Sequence, residues 1–377
     1  MSRPASRICA ALLLQGLIIS TVPLARSEDQ QPSPAKGDPA TGARAGSRTK
    51  LPVMERYPDR LQARMELHQR TLSALRSPAS GLSPRFILNL TKRWQPVQTL
   101  RVAFRGGDTP LHRDIATAVT EWTQYANLMF DFGVDPATGN YRSWSKSDTN
   151  FAADIRVSFD QTGYYSLVGN DSINRTITKP GEESLNLEGF DQERPNDWKG
   201  VALHEFGHSI GFEHEHQSPL APCDFRFDDD PGYVPTTDSF GQYIPDSQNR
   251  RPGLYTVLGG PPNNWPREVV DFNLKQLPES HAYEVGPFDK DSIMKYFFPD
   301  WMFVSSANSH CYTGAENLVL SDGDKQGAAK VYPRAPESIR AVSALRAQAL
   351  EGAANVRSLP PAAQQHFREE LNKIQGR

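Results

Sequence analysis

Thirteen residues, HEFGHSIGFEHEH at 204–216, carry four of the chain's nine histidines beside three glutamates. On a helix, His204 and His208 stand at i and i+4, one turn apart on one face. Two imidazoles so placed can hold one metal ion. Glu205 follows the first of them and points to the side of the metal, within reach of a metal-bound water. A catalytic zinc takes three protein ligands and keeps its fourth position for water. Gly211, just past the helix end, can adopt positive φ and turn the chain sharply. His214 then returns as the third ligand. The pattern HExxHxxGxxH therefore reads as a zinc hydrolase site, with one catalytic Zn2+ on His204, His208 and His214. Such an ion lowers the pKa of its water to about 7, and Glu205 is the general base. The bland alternative, a histidine-rich surface, would not need the apolar residues Val201, Leu203, Phe206 and Ile210 that give this helix a buried face.

The elements that must position these side chains are legible only in part. Residues 98–105 read as a strand, and 153–159 alternate like a half-buried one. A short strand at 184–187 is expected to be a sheet edge able to pair with an extended substrate. Over 111–128, Ile115, Ala118, Val119, Trp122 and Ala126 recur at helical spacing. The signature helix should run over 197–209 with Asp197 as its N-cap. Pro266 opens a helix over 266–277, and Ser321-x-x-Asp324 resembles a capping box for a helix ending near Tyr332. Strands and helices mix without regular alternation, so the fold class is α+β.

The whole chain has 377 residues, 38% hydrophobic and 23% charged, which is ordinary globular composition. Its net charge of −3 argues against nucleic acid as a partner. Residues 1–27 show a positive start at Arg3 and Arg7, a short apolar run over 8–22 and small residues near a cleavage point around Arg26. That is the pattern of a secretory signal peptide. The apolar run, interrupted by Gln15, is shorter than the roughly 20 residues a spanning helix needs. A secreted protein, extracellular or periplasmic, is expected, with no membrane association once the signal is removed. Residues 28–85 read as a disordered linker, most clearly over 28–50, and a candidate propeptide with a helix-prone run, RLQARMELHQRTLSALR. Residues 334–377 form a helix-prone C-terminal tail.

Cys9 leaves with the signal, so Cys223 and Cys311 remain as an even pair in an oxidising compartment, and a disulfide is the natural reading. Two buried free thiols are the alternative. Asn89-Leu90-Thr91, Asn170-Asp171-Ser172 and Asn174-Arg175-Thr176 fit the glycosylation pattern. Asp228-Asp229-Asp230 could help bind calcium, although a solvated acidic loop is the simpler reading.

A second motif, DSIMKY at 291–296, lies downstream of the first. Together they resemble the signature and Ser-Ile-Met-x-Tyr turn of the metzincin zinc endopeptidases. The Gly211-Phe212-x-His214-Glu215 ending is most similar to the astacin-like branch. The resemblance covers residues 86–333 and implies a metallopeptidase domain: a twisted mixed sheet with helices, and a zinc cleft between an upper, sheet-containing half and a lower, loop-rich half. It implies that Met294 forms a hydrophobic floor beneath the zinc, and that Tyr296 stabilises the oxyanion. It also implies a polypeptide substrate cleaved internally by a monomer. The chain departs from that branch in several places. His216-Gln217-Ser218-Pro219 follows the third histidine, Lys295 replaces a frequent histidine, and no FxGD latch is found upstream. In that branch the glutamate after the third histidine, here Glu215, holds the mature N-terminus. Two other functions fit the motif: a catalytically silent zinc-binding module such as an adhesin, against which the intact Glu205 speaks, and a zinc hydrolase of a non-protein or cell-wall peptide substrate.

Overall fold

The computed structural model describes residues 57–72, 87–278 and 283–376. The signal at 1–27 and the linker at 28–50 lie outside the described residues. Helix α1 (Asp59–Leu72) falls inside the helix-prone run, and a short strand, β1 (Ile87–Asn89), follows it. Strand β2 (Thr99–Arg105) lies in the expected 98–105 strand; it exposes Thr99 and Arg101 and buries Leu100, Val102, Ala103 and Phe104. The expected long helix is two: α2 (Thr109–Val119) and α3 (Glu121–Tyr125). They break at Thr120, whose hydroxyl donates to the Ala116 carbonyl at 2.6 Å. Such back-bonding bends a helix.

Strands β3 (Met129–Asp131), β4 (Ile155–Ser158), β5 (Tyr164–Ser166) and β6 (Leu185–Leu187) complete a five-stranded sheet in the order β3-β2-β4-β6-β5. All neighbours are parallel except β5, which runs antiparallel to β6. The fold is therefore α+β with a mixed sheet. One expectation is overturned: β6 is an interior strand, buried at all three residues, and the edge is β5. Asn186 of β6 explains the arrangement. Its amide donates to the Gln161 and Gly163 carbonyls at 2.9 and 2.6 Å, and its oxygen accepts from Ser158 Oγ at 2.8 Å. This buried side chain pins the 161–163 turn that brings β5 back to the border of the sheet.

Helix α4 (Trp198–Ser209) packs beneath the sheet and is buried over most of its circumference. Asp197 precedes it but makes no capping bond, because its φ/ψ of −93°/11° leaves the extended region a side-chain cap requires. The lower half holds a small hairpin, β7 (Thr236–Thr237) and β8 (Tyr243–Ile244), and two helices, α5 (Leu254–Gly259) and α6 (Arg267–Leu274). Strand β9 (Tyr283–Val285) pairs antiparallel with β1. Helix α7 (Asp322–Val331) carries the predicted capping box. The tail folds into two packed helices, α8 (Pro336–Ala354) and α9 (Pro361–Gln375). Among the described residues no helix is long and apolar enough to cross a membrane.

Two cores back the cleft. The upper one joins Leu100, Val102, Ile155, Val157, Leu185 and Leu187 of the sheet to Leu203, Phe206 and Ile210 of α4. Trp122 stacks on Phe212 at 5.3 Å and donates its indole N–H to the Leu203 carbonyl at 2.9 Å. The lower core gathers Phe225, Leu254, Leu258, Trp265, Phe298 and Phe303, with Trp301 packed against it. Cys223 and Cys311 form the disulfide at its border, with Cα atoms 5.1 Å apart.

The lower half has little regular structure, so that cross-link should carry much of its stability. Cys223→Ser with Cys311→Ser should lower unfolding stability by about 4 kcal/mol, from the loop entropy the 88-residue separation restores. Denaturant titration of both forms would measure it, and an unchanged midpoint would contradict this account.

Candidate metal centre

Helix α4 delivers His204 and His208 from one face, and Gly211 at φ 108° turns the chain so that His214 faces them. The three ring nitrogens converge. His208 Nε2 lies 3.1 Å from His204 Nε2 and 3.0 Å from His214 Nε2, and the ligand atoms of the triad all lie within 4.8 Å of one another. The opposite ring nitrogens fix the tautomers. His204 Nδ1 donates to the Ile293 carbonyl at 2.6 Å, and His208 Nδ1 to the Phe212 carbonyl at 2.7 Å. A carbonyl only accepts, so each Nδ1 bears the proton and each Nε2 presents a lone pair. His214 Nδ1 meets Gln217 Oε1 at 3.2 Å. Burial pushes His204 down to about 4 and His208 and His214 well below the ordinary histidine range. Neutral imidazoles aimed at one point are a metal donor set, and the triad fits the zinc site its HExxHxxGxxH spacing predicts.

Glu205 is buried one residue along from the first of these histidines. Tyr164, on the edge strand β5, is half-buried, and burial and then the carboxylates of Asp197, Glu188 and Glu205 raise its hydroxyl above the ordinary tyrosine value. The edge strand thus overlooks the region of Glu205. The Tyr296 ring stacks near His204 at 5.1 Å and meets His214 at 4.4 Å. Met294 is buried under α4, where a side chain at Gly207 would collide with its sulfur. Its carbonyl accepts from Glu215 N–H at 2.9 Å, so the 292–296 turn both floors the site and holds the segment bearing His214.

That turn depends on a residue whose role here was not foreseen. Asp324 of the α7 capping box accepts from Ser292 Oγ at 2.6 Å and from the Ile293 N–H at 2.8 Å. The capping box was visible in the sequence, but its second duty toward the turn was not. Burial raises the Asp324 carboxyl to about 6. Burial also raises Glu215, whose Oε1 accepts from the Asp289 N–H at 2.8 Å, to about 8. His216 is fully buried, not exposed: it bonds the Asn273 carbonyl at 2.8 Å and packs on Phe298 at 4.8 Å. Lys295 is buried too and donates to the Tyr296 carbonyl at 2.9 Å.

Other sequence-marked residues do structural work. Asn89, Asn170 and Asn174 are each at most 1% exposed and hydrogen-bonded, so none of the three glycosylation motifs offers an accessible acceptor in the folded chain. Asp229 accepts from the Gly253 N–H at 2.6 Å, and Asp230 pairs with Arg226 at 2.6 Å. These acids brace the lower half.

The upstream segment reaches the cleft. Tyr57 Oη donates to the Ser166 carbonyl of β5 at 2.9 Å. Its ring lies 5.7 Å from Tyr165 in the upper half and 6.2 Å from Phe272 of α6 in the lower. Arg60 pairs with Glu183, and Arg64 donates to the Ile177 carbonyl at 2.7 Å. A cavity beside the triad is lined by Tyr57, Met65 and Phe272 together with His208 and His214.

No protein-family model matches the chain, and no curated protein matches it. Among solved structures it is similar to a structure of myroilysin, with 26% identity over 66% of this chain and 99% of that one and a TM-score of 0.49. A crystal structure of myroilysin gives 24% identity over 75% and 100%, with a TM-score of 0.40. High choriolytic enzyme 1, a hatching enzyme zinc-protease from the medaka fish Oryzias latipes, gives 15% identity over 68% and 98%, with a TM-score of 0.35.

Asp324→Ala removes both a helix cap and the acceptor that holds the 292–296 turn. It should cost about 2–4 kcal/mol of stability, the sum of a lost cap and of buried donors left unpaired. Urea denaturation checks this, and a loss no larger than that of an exposed cap would show that the turn does not depend on Asp324.

Proposed function

We propose that this chain is a secreted zinc-dependent endopeptidase that hydrolyses internal peptide bonds of polypeptides. The observation that carries the reading is the convergence of three neutral, orientation-locked imidazoles, with the ring of Tyr296 against His214 and a buried Glu205 next in the chain to His204. His204, His208 and His214 would hold the ion, which when bound supplies a water of lowered pKa and polarises the scissile carbonyl. Glu205 takes the proton of the attacking water and passes it to the leaving amine. Tyr296 donates a hydrogen bond to the developing oxyanion. Met294 and Gly211 set the floor and the turn. An extended substrate pairs with the free side of β5, so that main-chain hydrogen bonds fix its register, a mode indifferent to most side chains and suited to internal cleavage.

In this reading residues 57–72 belong to a propeptide. Tyr57 already occupies the Ser166 carbonyl, an acceptor on the strand that substrate would need. Removal of the segment frees that edge.

The purified protein should degrade an unstructured substrate such as casein, and a zinc chelator should abolish the cleavage. Glu205→Gln should lower kcat by about a hundredfold or more while zinc stays bound, and Tyr296→Phe by roughly tenfold to a hundredfold. A Glu205→Gln protein as active as the parent would rule out this mechanism. Zinc bound to a protein inert towards every peptide would favour the silent binding module instead, and turnover confined to cell-wall cross-links would favour the other hydrolase. A chain starting at residue 86 should cleave faster than the longer one; equal rates would remove the propeptide reading.

A further inference from the structure

Outside the triad, a group of buried and partly buried charges lies behind the metal loop and runs out to the C-terminal helices. Glu213 stands between Phe212, whose carbonyl orients His208, and the ligand His214. Its carboxylate takes the Asn89 amide at 3.3 Å and lies 3.9 Å from Lys92 Nζ. Lys92, only 5% exposed, pairs with Asp171 at 2.9 Å. The main chain repeats the connection: Asn89 N–H donates to the Gly211 carbonyl at 3.2 Å, and Asn170 N–H to the Lys92 carbonyl at 2.8 Å. Gly169 permits that approach, since a side chain there would overlap the Lys92 carbonyl.

The C-terminal helices grip the same two segments from outside. Asn170 donates its amide to Glu370 of α9 at 3.1 Å, and Glu370 pairs with the buried Arg346 of α8 at 2.7 Å. Arg93, next to Lys92, donates to the carbonyls of Val331 of α7 and Val342 of α8 at 3.3 and 2.6 Å. Two routes therefore run from the tail to residues 89–93, and from there to Glu213.

We propose that helices α8 and α9 are a positioning element of the metal site, acting through Glu370, Asn170, Lys92 and Asn89 to hold Glu213 and with it the ligand-bearing 211–214 turn. The proposal rests on the zinc reading above. Charges buried this deeply are costly to leave without partners, so removing one link shifts the carboxylate at the far end. Partners one step removed from a metal ligand typically govern affinity by about ten- to a hundredfold.

The test uses the full chain and the zinc ion alone. Zinc affinity and release rate are measured by chelator competition, and thermal midpoints are taken with and without metal. Lys92→Met strands Glu213 beside the ligand turn and should weaken zinc by about ten- to a hundredfold. Lys92→Met also strands Asp171, its nearer partner at 2.9 Å; the double change Lys92→Met with Glu213→Gln removes only the charge beside the ligand turn, so it should recover most of the zinc affinity while the thermal midpoint stays lowered. Glu370→Ala, in the tail, should weaken zinc by about tenfold, and its effect should not add to that of Lys92→Met. If Glu370→Ala lowers the thermal midpoint yet leaves zinc affinity unchanged, the tail is a structural appendage and the proposal is overturned. A wild-type chain that binds no zinc would overturn the metal site itself along with it, which separates the two failures.

Discussion

Three imidazole lone pairs must face one point inside protein, and each ring can do so only if its other nitrogen has an acceptor. That requirement organises the rest. The acceptors are the Ile293 carbonyl, the Phe212 carbonyl and the Gln217 side chain, and none of the three lies on the helix that carries His204 and His208. The 292–296 turn, the glycine bend and the 3₁₀ turn after His214 each have to arrive in register for the donor set to exist. Neutral, desolvated imidazoles with fixed tautomers are the donor set that a metal ion takes.

The surrounding structure can be read as layers of support for that register. Asp324 ties the turn to α7, and Met294 slides under Gly207 so that the turn and α4 touch without a gap. Behind the 211–214 bend, buried ions and amides join the loop at 89–93 to the C-terminal helices. Buried polar networks of this kind are rigid when every member is satisfied, because each broken bond leaves a group that water cannot reach. The lower half, poor in regular structure, relies instead on aromatic packing and one disulfide.

The edge of the sheet has a different character. β5 is short, antiparallel to its neighbour and placed above the cleft by the buried Asn186. Its outer side is a border of the sheet, and the Tyr57 hydroxyl reaches it at the Ser166 carbonyl. In the function proposed above, recognition through backbone groups and occlusion by the upstream segment would address the same row of atoms.

The signature by itself brought the three candidate ligands together, because i, i+4 spacing and a glycine bend are local geometry that any surrounding fold must respect. The cysteine pair, the α7 capping box and the α+β class were legible for the same reason: each follows from composition or from contacts within a few residues. What lay beyond reach depended on pairs distant in the chain. The sequence placed the edge at 184–187, but strand order is decided by which segments return across the sheet, and β5 returned outside β6. The break at Thr120 needed a hydroxyl to win against the helix, which propensity does not foresee. His216 was buried by residues more than fifty positions away. The motif-bearing Asn89, Asn170 and Asn174 became internal hydrogen-bonding groups for a similar reason, and no local pattern marks Lys92 and Glu370, which the tertiary fold brings to opposite ends of one chain of contacts. Local spacing determined which atoms could hold a metal; only long-range packing decided what holds those atoms still.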